Sequence, residues 1–136
     1  MSTSIPLQDA RQVVDAALAE CQRRGFDAAA AVVDERGDLI IVVRLDGARH
    51  YYADAALGKA MCAAIWQDTS RAIAQRADHA SVHERVNRLN GGRIVFAPGA
   101  VPLSRRGRVV GAIGVGGAGP DIDEEIATAA AQAFAP

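Results

Sequence analysis

The stretch from Ala97 to Gly119, APGAVPLSRRGRVVGAIGVGGAG, constrains this chain more than any other. It predicts a strand over 101–105, a turn at Arg106-Gly107 and a return strand over 108–115, with Gly111, Gly114, Gly116, Gly117 and Gly119 crowding the end. Glycine weakens a strand unless another backbone must come close or φ must turn positive. So dense a set therefore predicts a strand packed tightly on a helix, its end bordering a pocket. Gly114 to Gly119 also spells GxGxxG between a strand and a helix. A dinucleotide site would need a further parallel strand carrying an acid, and the chain runs out after one helix. Asp121, Asp123, Glu124 and Glu125 would moreover repel a pyrophosphate at that helix start. Close helix–strand packing is the reading that survives.

Upstream, Ala10, Val13, Val14, Ala17, Leu18 and Cys21 recur at helical spacing, with Ser4 as a candidate cap, Pro6 in the first turn and Gly25 as the stop. AAAAVVD at 28–34 and LIIVVRL at 39–45 flank a turn at 35–38 and read as an antiparallel hairpin. A second helix over 52–66 has alanine on nearly every side, which implies close packing on more than one face. Thr69 or Asp68 caps a shorter helix through Arg76, and another helix covers 81–89. Ile94 to Ala97 reads as a further strand. Pro120 opens the last helix, with Ile122, Ile126, Ala129, Ala130 and Ala133 as its apolar face. The expectation is one α+β domain over 1–136, built on a mainly antiparallel five-stranded sheet with helices packed on it.

Composition narrows the partners. Net charge is −1 with no basic tract, so nucleic acid is not an expected partner. No apolar run reaches the length of a membrane span, and MSTSIPLQDAR lacks the form of a secretion signal. Cys21 and Cys62 stand apart with no metal spacing, as expected of reduced thiols in a cytoplasmic protein. Of the fifteen basic residues only Lys59 is lysine. It lies among Ala55, Ala56, Cys62 and Ala63 on its helix, and an ammonium in such surroundings needs a partner or a ligand. Asp46, in the turn leading to this helix, is the expected partner, with Arg44 two residues before it. Arg44, Asp46 and Lys59 would then form an anion-binding set, either a structural ion pair or the lining of a pocket. His50, before Tyr51-Tyr52, is a candidate haem ligand, since imidazole and phenolate both bind haem iron. No CxxCH is present, so haem would not be covalent. His79 and His83 share a helix face as metal ligands can, but the polar neighbourhood fits a solvated helix better.

RLDGA at 44–48, Lys59-Ala60, PGAVPL at 98–103, VVGAIGVGGA at 109–118 and DEEIA at 123–127 resemble the HbpS-like haem-degrading or haem-binding family, which includes GlcG and the C-terminal domain of PduO. The resemblance spans nearly the whole chain. It implies a profilin-like α+β fold, homo-oligomers, and haem as the nominal ligand. Gly99, Ala100, Pro102, Gly116 and Gly117 join Arg44, Asp46 and Lys59 as candidate ligand-binding residues. Two positions depart from the family pattern: Ala100 replaces the second of two glycines, narrowing any space beside that turn, and Gly117 stands where a serine is common, removing a donor. Two other functions fit the same residues. One is a metal-independent catabolic enzyme for a small carboxylated or carbonyl substrate, with Lys59 and Arg44 holding the anion and Asp46 as base. The other is an accessory or assembly subunit. A homo-oligomer larger than a dimer is expected, because the alanine-rich helix offers apolar surface on several sides.

Overall fold

The computed structural model describes residues 4–135; residues 1–3 of the N-terminal start read above lie outside them. The elements are α1 (Leu7–Arg24), β1 (Ala29–Asp34), β2 (Leu39–Arg44), α2 (His50–Trp66), α3 (Ser70–Ala74), a 3-10 turn (Ala77–His79), α4 (Ala80–Leu89), β3 (Ala100–Arg105), β4 (Arg108–Gly116) and α5 (Pro120–Ala131). The strands form one antiparallel sheet in the order β2-β1-β4-β3. It has four strands where the sequence predicts five. The segment at 94–97 runs along α2 instead, with the Val95 N–H donating to the Gly58 carbonyl and the Ile94 N–H to Asn87 Oδ1. These two N–H groups find partners without a sheet, and a short apolar run does not by itself distinguish a strand from such a segment.

The two faces of the sheet differ in kind. Val32, Leu103, Ile113 and Val115 meet Val13, Val14, Ala17, Ile126 and Ala130 of α1 and α5, making the larger core. The other face is flat: Ala29, Ala31, Ala112, Gly114 and Gly116 alternate with those bulkier neighbours. There α2 lies almost on the backbone. A Cβ at Gly114 would stand 2.2 Å from the Ala56 carbonyl oxygen, and one at Gly116 would stand 2.6 Å from that of Tyr52. The glycine-rich strand therefore serves close helix–strand packing. Four alanines of α2, Ala56, Ala60, Ala63 and Ala64, are fully buried inside the subunit and offer no surface for assembly.

Local signals behave largely as their chemistry dictates. Gly25 ends α1 in the left-handed conformation. Thr69 Oγ1 accepts from the Ala72 N–H and caps α3. Ser4 does not cap α1; Pro6 takes that position, and the Ser4 hydroxyl donates to Glu35. Among the described residues, no helix is long and apolar enough to cross a membrane.

Candidate functional site

The buried polar centre lies at the end of β4. Lys59 projects from α2 and is 5 % exposed; Asp123, in the first turn of α5, is 1 % exposed. Lys59 Nζ donates to Asp123 Oδ2 at 2.9 Å and to the Val115 carbonyl at 3.3 Å, while Asp123 Oδ1 accepts from the Ala118 N–H at 2.9 Å. The pair joins helices from opposite faces of the sheet. Gly99 makes the passage: its φ is +141°, and a Cβ there would sit 2.6 Å from Lys59 Cδ and 2.8 Å from Nζ. The loop around it is fixed twice, by the Val115 N–H donating to the Gly99 carbonyl and the Ala100 N–H donating to Ser70 Oγ. Burial pushes the Asp123 carboxyl above its ordinary value, opposed by Lys59 and by the N–H groups of Ala118 and Gly117.

Lys59 thus has a carboxylate partner, as its surroundings demand, but the partner is Asp123 and not Asp46. Arg44 and Asp46 are exposed at the C-terminal end of β2, on the outer edge of the sheet and two strands from β4, and the Arg44 guanidinium donates to the Ala48 carbonyl. The structure does not gather Arg44, Asp46 and Lys59 into one set. Asp123 carried a legible signal: Asp123, Ile126, Ala127 and Ala130 fall on one helical face and all are buried. Ala100 is wholly buried, its methyl part of the core beneath α2 rather than the wall of a pocket. Pro102 is half-buried in β3, in register with Ala112. Gly117 has φ +115°, and a Cβ would reach 2.5 Å from the Tyr52 ring. No serine fits there while Tyr52 keeps its place.

A second locus lies at the N-terminal end of α2. His50 and Tyr51 are exposed, their rings edge-on at 6.2 Å, and Tyr51 packs edge-on against Tyr52 at 4.8 Å. Beside them opens a cleft of about 370 Å³ lined by Tyr51, Asp54, Ala55, Leu57, Arg93 and Val95. Its walls are mostly apolar, with Asp54 and Arg93 as the charged members.

The paired histidines take different roles. His79 is exposed, whereas His83 is buried, stacked on Phe96 at 5.2 Å and edge-on to Trp66 at 4.9 Å. Burial lowers the His83 pKa, with His79 and Arg76 adding to the effect. No cluster of three metal-ligating side chains occurs among the described residues. Burial also lifts the Cys21 thiol to about 11 and that of Cys62 to about 12, so neither is a ready nucleophile.

An alternating small-residue sheet face under one helix, a buried lysine–aspartate pair and an aromatic cleft at the helix start define an α+β domain built around α2. The chain belongs to the family described as haem degrading protein HbpS-like, whose pattern matches residues 5–132. A double mutant of HbpS from Streptomyces reticuli has the same fold, with a TM-score of 0.87 and 30 % identity over 100 % of this chain and 90 % of that one. The PduOC:heme complex is similar in fold at a TM-score of 0.83 and 22 % identity, covering 96 % of this chain and 94 % of that one. An uncharacterised 15.0 kDa protein of Citrobacter freundii, from the dhaT-dhaS intergenic region, is 27 % identical over 131 residues, 96 % of this chain and 92 % of that one.

Proposed function

We propose that this chain is a haem-binding protein and that haem docks in the cleft at the start of α2. The observation that carries the reading is an apolar cleft lined by Tyr51 and Arg93, with the His50 ring edge-on to that of Tyr51. The residues suit the group. Ala55, Leu57 and Val95 offer apolar contact to a porphyrin face, Arg93 offers a cation for a propionate, and the His50 imidazole or Tyr51 phenolate offers an iron ligand. The bound group would supply iron chemistry; the chain's part is to hold and orient the ring. Family membership supports the same reading, as does the haem in the PduOC complex. The enzyme alternative asked Lys59 and Arg44 to hold an anion over Asp46. Lys59 is instead committed to Asp123 and Val115, which leaves that alternative without its central cation.

Hemin titration followed in the Soret region tests the proposal. A saturable, shifted band is expected. Tyr51→Phe or His50→Ala should alter the band position, and Arg93→Ala should weaken affinity about tenfold without moving the band, as loss of one charge-assisted contact predicts. A spectrum matching hemin adsorbed on an unrelated protein, or one unchanged in all three variants, refutes it.

A further inference from the structure

Among the described residues, His83 Nε2 is the buried side-chain polar atom with no hydrogen-bond partner. Leaving such an atom unmet costs stability. His83 is also the buried residue of α4; every other side chain of that helix is half-buried or exposed. Its ring lies between Phe96, on which it stacks, and Trp66, which it meets edge-on. The rest of the helix is lightly held. No side chain caps its N-terminus, Val86 packs on the core from a half-buried position, and Val82 and Leu89 are exposed. A neutral imidazole is the main seat of α4.

The far end of α4 reaches the cleft assigned to haem. Asn87 Oδ1 accepts from the Ile94 N–H at 2.8 Å. The Asn90 carbonyl accepts from Arg93 Nε at 3.1 Å, and Asn90 Nδ2 donates to the Val86 carbonyl at 2.8 Å. The helix therefore holds both the backbone at Ile94 and the guanidinium of Arg93, the cation of the cleft. One short segment serves two hollows: Gly92, Arg93 and Val95 line the cleft with Tyr51, whereas Phe96 joins His83, Asn87 and Arg76 around another of about 320 Å³ beside α4.

A charge on His83 would find no partner. The charged groups about the ring are Arg76 after α3, Asp78 and His79 in the 3-10 turn, and Glu84 on α4 itself. Trp66 and Phe96 bring none. Asp78 lies against His79 at 3.4 Å, Glu84 pairs with Arg88 at 2.9 Å, and nearby Asp68 pairs with Arg76 at 2.8 Å. An imidazolium carries two N–H donors, and Nε2 has no acceptor in reach. We infer that His83 is a positioning residue for the haem cleft: while neutral it seats α4, α4 holds Arg93 and Ile94 in place, and acid releases that hold and weakens haem binding. The inference rests on the haem reading for its ligand, but its mechanism belongs to the ligand-free chain.

Two measurements test it. His83→Phe keeps a ring in the slot and cannot take a charge. Between pH 7 and pH 5 the hemin affinity of the wild type should fall about tenfold more than that of His83→Phe, the worth of the Arg93 contact. With Arg93→Ala added to both, the two pH slopes should coincide. Comparing slopes cancels the titration of His50, Tyr51 and the propionates, which both chains share. Equal slopes with Arg93 present overturn the inference, as does an excess slope that survives Arg93→Ala. The second measurement needs no haem. Amide exchange at Ile94 is taken as a ratio to that at Val115, whose N–H bonds the Gly99 carbonyl in the sheet region. The ratio should rise on acidification in the wild type and stay level in His83→Phe. A level ratio in the wild type overturns the inference, whether or not the variant folds. Hemin that fails to bind saturably at pH 7 refutes the haem reading, and the exchange ratio then still decides whether His83 positions the 93–94 backbone.

Discussion

Removing the Lys59 ammonium should be among the most damaging single changes this fold can suffer. In Lys59→Met the Asp123 carboxylate stays in place with its side chain 2 % exposed, keeping backbone N–H groups but no countercharge. Breaking one side of a buried pair costs about 3–5 kcal/mol. Asp123 has an escape, because burial already pushes its carboxyl upward and loss of Lys59 removes the largest opposing influence. It can take a proton, so a value near the lower end, about 3 kcal/mol, is expected at neutral pH. The sign with pH follows. A carboxyl whose folded pKa lies above its unfolded one favours folding below the unfolded value and loses that contribution as pH rises through the folded one. The deficit of Lys59→Met relative to wild type should therefore shrink toward pH 4 and grow toward pH 8. Urea denaturation at both pH values measures it, and 3 kcal/mol moves the midpoint by more than about 1 M. The double variant Lys59→Met/Asp123→Val should recover most of the loss, since an apolar pair of similar size leaves nothing charged behind. A single-variant cost below about 1 kcal/mol, or two single costs that simply add, would refute the reasoning.

Gly99→Ala should lower stability by about 2 kcal/mol or more, because the methyl meets both Lys59 and a disfavoured φ; thermal melting beside an Ala100→Gly control checks this. His83→Phe bears on acid sensitivity. The depressed His83 pKa contributes stability above its ordinary value near 6.5 that is lost as pH falls through the folded pKa, so the wild-type melting temperature should fall between pH 7 and 5 more steeply than that of the variant.

The glycine-rich strand was legible because glycines at 114 and 116 fall on one face of a strand, and such a face admits only a close neighbour. The hairpin of β1 and β2 was legible from its turn and its β-branched runs. The segment at 94–97 was not, since nothing local distinguishes an apolar run bound for a sheet from one bound for the Gly58 carbonyl of a helix. Lys59 announced that it needed a carboxylate, yet nearness along the chain pointed to Asp46. The true partner arrives 64 residues later, placed by a topology that local patterns do not encode. His50 and Tyr51 were visible as candidates, but Arg93 and Val95 join them only because the 91–96 segment returns along α2.

The strand order also governs when this protein can fold. β1 lies between β2 and β4, so Ala29 finds Arg44 on one side almost at once and Gly116 on the other only after α2, α3, α4 and β3 have been made. On the ribosome the first hairpin emerges with one long, uncharged side of β1 unsatisfied, and α2 has no glycine face to settle on. Closure of that distant pairing carries the entropy of the whole intervening loop. The sheet therefore closes late relative to its first hairpin, and a nascent chain stalled before β4 leaves an alanine- and valine-rich edge of β1 unpaired.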